Sequence, residues 1–138
     1  MNDQVAQRFL EEQAKRHGAL KTEQVEAGRV RDFLLAIEAG PFDPSMPVPP
    51  LFLLTLGRTR RPHLDRLPGG TVNARDSFEF YENVFVGDEI SIETRMVSVE
   101  KKAGSERDLY LIKAEKFYRR EPEGALVARR TNSVLRWE

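Results

Sequence analysis

Hydrophobic and polar residues alternate along the second half of the chain. Phe78 and Phe80 point to one face, while Glu79 and Tyr81 point to the other, which is the pattern of a half-buried strand. Ile90, Ile92 and Thr94 alternate with polar residues in the same way. Turn residues divide the chain from Thr71 onward into four predicted strands, at about 72–82, 88–101, 108–119 and 126–137. Long runs joined by short turns favour a long antiparallel sheet.

The first half of the chain has helical spacing instead. Apolar residues recur every three to four positions in Asp3–His17 and again in Arg29–Ala39, so both segments are predicted helices. A connector, Pro41–Pro50, then carries five prolines in ten residues. Periodicity alone leaves the most apolar run, Pro49–Leu56, open between a buried helix and a buried strand. Because helices precede strands rather than alternate with them, the predicted class is α+β.

Composition narrows the possible functions. At 138 residues with 40% hydrophobic content, the chain is expected to form one domain, 1–138. Its 22 basic and 22 acidic side chains cancel, whereas a nucleic-acid-binding protein usually has a basic excess. There is no cysteine, and only His17 and His63 could contribute imidazole, so neither a disulfide scaffold nor a metal site is expected. No apolar run is long enough for a signal peptide or a membrane span, so we expect a cytoplasmic protein.

Four short motifs, taken together and in order, resemble those of a known family. They are EAGRVRDFLLAI at Glu26–Ile37, VPPLF at Val48–Phe52, FEF at Phe78–Phe80 and VGD at Val86–Asp88. Their order is similar to that of the MaoC-like hydratases and dehydratases, and most closely to the N-terminal-half, FAS1-like dehydratase type. The resemblance covers residues 25–137 and leaves 1–18 as an additional N-terminal helix. It implies a hot-dog fold, in which a long antiparallel sheet wraps around a central helix, and it assigns 49–56 to that helix.

The chain departs from this family where catalysis would occur. Active relatives carry an Asp and a His in a D-x-N-P-x-H pattern, and a glycine N–H at the start of the central helix donates to the substrate oxygen. The matching stretch, 36–44, contains no histidine, and the glycine position is occupied by Pro50, which has no N–H. The resemblance therefore implies a non-catalytic half that binds acyl-CoA or an acyl-carrier thioester. It would act with a catalytic hot-dog partner as an enoyl-CoA hydratase or 3-hydroxyacyl dehydratase, without a covalently bound cofactor.

Several side chains are candidates for binding the thioester. Arg58, Arg60 and Arg61 have the chemistry to grip CoA phosphates, although they equally suit a solvated loop. Asn73 and Arg75 start the aromatic strand, which in relatives runs beside the pantetheine channel; a surface or interface hydrogen bond is the alternative. The candidates for an acyl tunnel belong to the apolar run and are Phe52, Leu53, Thr55 and Leu56. Apolar residues of a central helix usually belong to the hydrophobic core, so at most one or two of them are expected to line a tunnel.

Two other functions remain open from the sequence. In a self-sufficient homodimeric thioesterase or hydratase, the catalytic group would be Glu38, Asp43 or His63. Each of these has an ordinary role as well, since Glu38 ends a helix, Asp43 precedes a proline and His63 lies in a basic loop. The last alternative is a non-enzymatic acyl-CoA-binding protein. The sequence does not specify the acyl group, because apolar pockets discriminate small differences in chain length weakly.

Overall fold

A five-stranded antiparallel sheet with helices against one face forms the body of the protein. The computed structural model describes residue 4 and residues 20–57, 70–102 and 109–137. In chain order the elements are β1 (Lys21–Gln24), α1 (Ala27–Ala36), a 3₁₀ helix (Pro50–Thr55), β2 (Gly70–Phe80), β3 (Glu89–Lys102), β4 (Leu109–Glu121) and β5 (Ala125–Trp137). The α+β prediction is confirmed. Among the described residues, no helix has the length and apolar character needed to cross a membrane.

The sheet has the order β1-β3-β4-β5-β2, and every neighbouring pair is antiparallel. All four predicted strands are confirmed, and each end lies within two residues of its predicted position. β2 pairs with β5 along its whole length, and within the described chain its other side has no strand partner. An eleven-residue strand therefore forms one edge of the sheet.

One strand was not predicted. β1, of sequence KTEQ, contains no apolar residue and so shows no alternation. It forms because it pairs in register with the first four residues of β3, from Lys21 opposite Ile92 to Gln24 opposite Glu89. Tertiary pairing, rather than intrinsic propensity, determines this strand.

The helices cover only one face of the sheet, which we call the inner face; the opposite side is the outer face. Inner-face residues of the strands pack with residues of both helices in a single cluster, which includes Val30, Phe52, Leu53, Leu56, Ile90, Ile92, Tyr118 and Ala128. Phe33 of α1 meets Phe52 of the 3₁₀ helix edge-on, with ring centroids 5.7 Å apart. This interlocking fixes both helices relative to the sheet.

Helix α1 starts and ends earlier than the predicted Arg29–Ala39. The N–H of Ala39 donates to the carbonyl of Leu34 at 3.0 Å, and Glu38 takes a left-handed φ of 53°. These are the features of a helix C-terminal cap, in which glycine is the usual residue. The cap, and not the following Gly40-Pro41, therefore ends the helix.

The apolar run 49–56 is helical, as the family resemblance implied, but its form is a six-residue 3₁₀ helix. Pro50 occupies its first turn, where the missing N–H costs nothing. At the other end, the Glu23 carboxylate accepts a short hydrogen bond from the N–H of Gly57, and Arg29 donates to the Thr55 carbonyl at 3.0 Å. These bonds tie the end of the helix to β1 and α1.

Candidate functional site

A cleft of about 230 Å³ lies between the 3₁₀ helix and the end of the edge strand β2. Its lining residues come from the connector, the 3₁₀ helix and the segment after β2; they are Val48, Pro50, Leu53, Phe80, Tyr81, Glu82, Asn83 and Val84. The N–H of Val48 donates to the Val84 carbonyl at 2.7 Å, and the N–H of Tyr81 donates to the Val127 carbonyl at 2.9 Å. Backbone hydrogen bonds thus hold both walls in place.

Aromatic side chains form the wall next to the sheet edge. Phe80 stacks on Phe78 with centroids 5.0 Å apart, and Phe78 in turn lies 5.9 Å from Tyr118 in the core. Phe80 is nevertheless 41% exposed and Tyr81 49% exposed. The cleft is therefore anchored to the core on one side and open to solvent beside the unpaired edge of β2.

The ionisable groups around this cleft are already engaged. The Tyr81 hydroxyl donates to Glu79 at 2.5 Å, and this hydrogen bond raises the pKa of Tyr81 above its ordinary value. Glu82 lies 3.6 Å from Arg120, which also donates to the Asn83 carbonyl at 2.7 Å. No histidine occurs among the residues that line the cleft. Its lining combines apolar side chains with Tyr81, Glu82 and Asn83, and it offers no free acid–base pair.

The candidate catalytic carboxylates lie away from this cleft. Glu38 is exposed at the C-terminal cap of α1. Asp43 accepts hydrogen bonds from the N–H of Ser45 at 2.9 Å and from its hydroxyl at 2.7 Å, and these bonds lower the pKa of Asp43. His63 lies outside the described residues. Of the described side chains, no three that could bind a metal are grouped together.

The predicted tunnel residues are mainly core. Phe52, Leu53 and Leu56 are buried in the main cluster. The Thr55 hydroxyl donates to the Phe52 carbonyl at 2.8 Å, which completes a turn of the 3₁₀ helix. Leu53 is the member of this set that also lines the cleft. The cleft residues that sequence reasoning missed, Phe80 and Tyr81, belong to the aromatic strand that carries the family resemblance.

The two predicted pantetheine contacts, Asn73 and Arg75, lie on opposite faces of the sheet. A β-bulge at Ala74 shifts the pairing, so that Asn73 opposes Val134 while Arg75 opposes Ser133. On the inner face, the Asn73 side chain accepts from Asn132 at 2.8 Å. Arg75 lines a separate cleft on the outer face. Arg58, Arg60 and Arg61 lie outside the described residues, so their predicted phosphate contacts remain predictions.

A family model and several solved structures share this architecture. Residues 13–129 match the model described as the FAS1-like, dehydratase domain region. The chain belongs to this FAS1-like dehydratase family. Comparison with curated protein sequences gives no match.

Solved structures with this fold include subunits of two mycobacterial complexes. A chain of the ChsH1–ChsH2 complex from Mycobacterium tuberculosis is 14% identical, with a TM-score of 0.66 over 93% of this chain and 90% of that chain. A chain of the HadBC (3R-hydroxyacyl-ACP dehydratase) complex from the same organism is 18% identical, with a TM-score of 0.63 over 86% of this chain and 96% of that one.

An (R)-hydratase from A. caviae, described as involved in PHA biosynthesis, is also similar. It is 19% identical, with a TM-score of 0.62 over 84% of this chain and 91% of that chain. At such identities the likeness shows the fold alone. The likeness confirms the hot-dog fold, and the family model confirms the FAS1-like dehydratase type predicted from the four motifs.

Proposed function

We propose that this chain is the non-catalytic, acyl-thioester-binding subunit of a MaoC-like hydratase or dehydratase. In this proposal a catalytic hot-dog partner supplies the acid and the base, while the cleft beside Leu53 and Phe80 receives part of the acyl chain. The thioester carrier is CoA or an acyl-carrier protein.

The observation that carries the proposal is a cleft of mixed polar and apolar lining, without a free acid–base pair, beside a sheet edge that has no strand partner among the described residues. Hydration of an enoyl thioester needs a proton donor, a proton acceptor and a donor to the carbonyl oxygen. Around this cleft, Tyr81 and Glu82 are engaged with neighbouring side chains, and Pro50 has no N–H to offer. A second subunit at this edge would be the source of the missing groups.

The edge strand supports assembly with a second hot-dog subunit. An unpaired strand presents backbone N–H and C=O groups that pair readily with another strand. Beside it, Phe80 and Tyr81 expose aromatic surface of the kind enriched at protein interfaces. Two of the similar structures are complexes by their own descriptions, ChsH1–ChsH2 and HadBC. They support pairing between two different subunits.

The test is co-purification of the tagged chain from its native host, followed by a crotonyl-CoA hydration assay. We expect a second small subunit in equal amount, with hydration by the complex and none by the isolated chain. Phe80→Glu should abolish co-purification, because a charge would be buried at the interface. Leu35→Glu is the matched control, because Leu35 is 67% exposed on α1 and does not line the cleft.

Two results would overturn the proposal. One is a homodimer that by itself hydrates crotonyl-CoA or hydrolyses acyl-CoA, with loss of activity in Glu38→Ala or Asp43→Ala. The other is a homodimer that binds acyl-CoA but has no activity with any co-purified protein. The first result establishes the self-sufficient enzyme, and the second the non-enzymatic binding protein.

A further inference from the structure

A second cleft, of about 460 Å³, lies on the outer face of the sheet. It spans β2, β4 and β5, and its lining residues are Ala74, Arg75, Ser77, Leu111, Lys113, Thr131 and Ser133. Two cationic side chains, three hydroxyls and one leucine thus surround a single concave region. The proposed acyl cleft shares no residue with it.

The strand register brings the two cations toward one point. Ser133 of β5 is paired with Arg75 on one side and with Lys113 on the other. Adjacent strands are about 4.8 Å apart, which places the Cα atoms of the two cationic residues about 10 Å from each other. Ser133 is only 8% exposed and forms the floor between them. Two long, flexible side chains can therefore close from both sides over a small ligand.

The two cations of this cleft have no acidic partner among the described residues. Elsewhere on the outer face, Arg95 pairs with Glu93 at 2.7 Å, and Arg129 pairs with Glu115 at 3.0 Å. In contrast, the side chains of Arg75 and Lys113 form no ion pair and no hydrogen bond within the part of the chain that the structure describes. Two positive charges in one concavity favour an anionic ligand.

We propose that this outer cleft binds a phosphate group, either free or as part of an organic phosphate ester. The Arg75 guanidinium can donate two parallel hydrogen bonds to phosphate oxygens, and the Lys113 ammonium supplies a second charge. The hydroxyls of Ser77, Thr131 and Ser133 add neutral donors beneath. Leu111 and the remaining volume accommodate the organic part of an ester. The inference goes beyond the proposed function and does not depend on it.

The test is an NMR titration of the isotopically labelled chain at low salt, with inorganic phosphate and, separately, with adenosine 3′,5′-bisphosphate. We expect saturable shifts at residues 75, 77, 113, 131 and 133. Arg75→Gln or Lys113→Gln should weaken binding by about tenfold, because each removes a charge-assisted hydrogen bond. Arg119→Gln is the matched control. It removes the same charge from the outer face, but Arg119 lies over the Phe117 ring, outside the cleft.

Each result has a defined reading. Tighter binding of the bisphosphate assigns the cleft to an organic phosphate, whereas equal binding of both probes assigns it to the phosphate group alone. The proposal fails if neither probe gives saturable shifts at these residues. It also fails if Arg119→Gln weakens binding as much as Arg75→Gln, since attraction by general surface charge would then be sufficient.

Discussion

The inner face of the sheet has two unlike parts. Under the helices, Ile90 and Tyr118 are completely buried and Phe52 is 1% exposed. At the β2 margin, Phe80 carries the same kind of side chain as Phe52 but remains 41% exposed. The covered part uses its apolar surface for folding. The margin keeps apolar surface available, which is what a recognition surface requires.

Polar side chains are bonded in both parts. Where the 3₁₀ helix ends, Glu23 accepts from the Gly57 N–H and Arg29 donates to the Thr55 carbonyl, although these side chains remain 34% and 38% exposed. At the margin, the Tyr81 hydroxyl donates to Glu79, which points to the outer face, and Tyr81 stays 49% exposed. Burial, rather than residue type, therefore distinguishes Phe52, which contributes to folding, from Phe80, whose ring stays partly exposed.

Replacing one phenylalanine in each part should give the largest difference in the free energy of unfolding. Phe52→Ala should lower the free energy of unfolding by about 3–5 kcal/mol, because it opens a cavity among α1, the 3₁₀ helix and the sheet. Phe80→Ala should cost less than about 1 kcal/mol, because its ring is partly exposed already. Urea denaturation followed by circular dichroism measures both.

If Phe52→Ala does not fold, Phe52→Leu provides the milder comparison, with an expected loss of about 1–2 kcal/mol. Equal losses at positions 52 and 80 would contradict the division between folding and recognition surfaces.

Two glycines with similar backbone angles sharpen the comparison. Gly57, with φ of 69°, lies two residues after the 3₁₀ helix, and an added Cβ would lie 3.1 Å from Cγ2 of Ile92. Gly124, with φ of 73°, lies in the β4–β5 turn, and a Cβ there would meet nothing within 4 Å. Gly124→Ala should therefore cost only the left-handed strain, about 1–2 kcal/mol. Gly57→Ala should cost about 2–4 kcal/mol, because overpacking is added. Thermal and urea unfolding measure the pair, and equal costs would show that Ile92 moves aside freely.

Two tyrosines provide the smallest but most specific contrast. Burial raises the pKa of Tyr118 to about 12, and the nearby charge of Arg130 offsets this only partly. The folded state therefore favours the neutral phenol. This stabilisation is complete below pH of about 10 and is lost as the pH rises toward about 12, at up to about 1.4 kcal/mol per pH unit.

The measurement is unfolding free energy against pH for the natural chain and for Tyr118→Phe. The difference between them should be small at neutral pH, because the buried Tyr118 hydroxyl forms no hydrogen bond of normal geometry. Above pH of about 10, the natural chain should lose stability relative to Tyr118→Phe. Tyr81→Phe provides the comparison: a hydrogen bond to Glu79, and not burial, is the main cause of the raised pKa of Tyr81, so this variant should show a shift of the same sign and should also lose that hydrogen bond at neutral pH. If the stability of the natural chain and that of Tyr118→Phe depended on pH in the same way, Tyr118 would not be buried.

The sequence predicted the regular parts of the fold well. β3 opens with an alternation of Ile90, Ile92 and Thr94 with polar residues, and turn residues separate β3, β4 and β5, so the limits of these strands were readable. β1 was not readable, because its four polar residues become a strand only through pairing with β3. The end of α1 was also misplaced, since a glutamate, Glu38, occupies the left-handed cap position.

The site was less accessible from the sequence. Motifs identified the family and showed that the usual acid–base residues are missing, because both can be read directly from the order of residues in the sequence. Lys113 was missed as a cleft residue, because Lys113 and Arg75 line the same cleft only once β4, β5 and β2 have paired. The bulge at Ala74 was equally invisible, so Asn73 and Arg75 were expected together although they face opposite sides.

That bulge has a consequence for how residues are transferred between relatives by alignment. A homologue without the extra residue would restore regular pairing and turn every side chain before it to the other face. A one-position gap at Ala74, which costs little in an alignment score, would exchange the inner-face residues at the start of β2 with those facing the outer side. Functional residues of β2 should therefore be transferred between homologues by strand register, and not by alignment column.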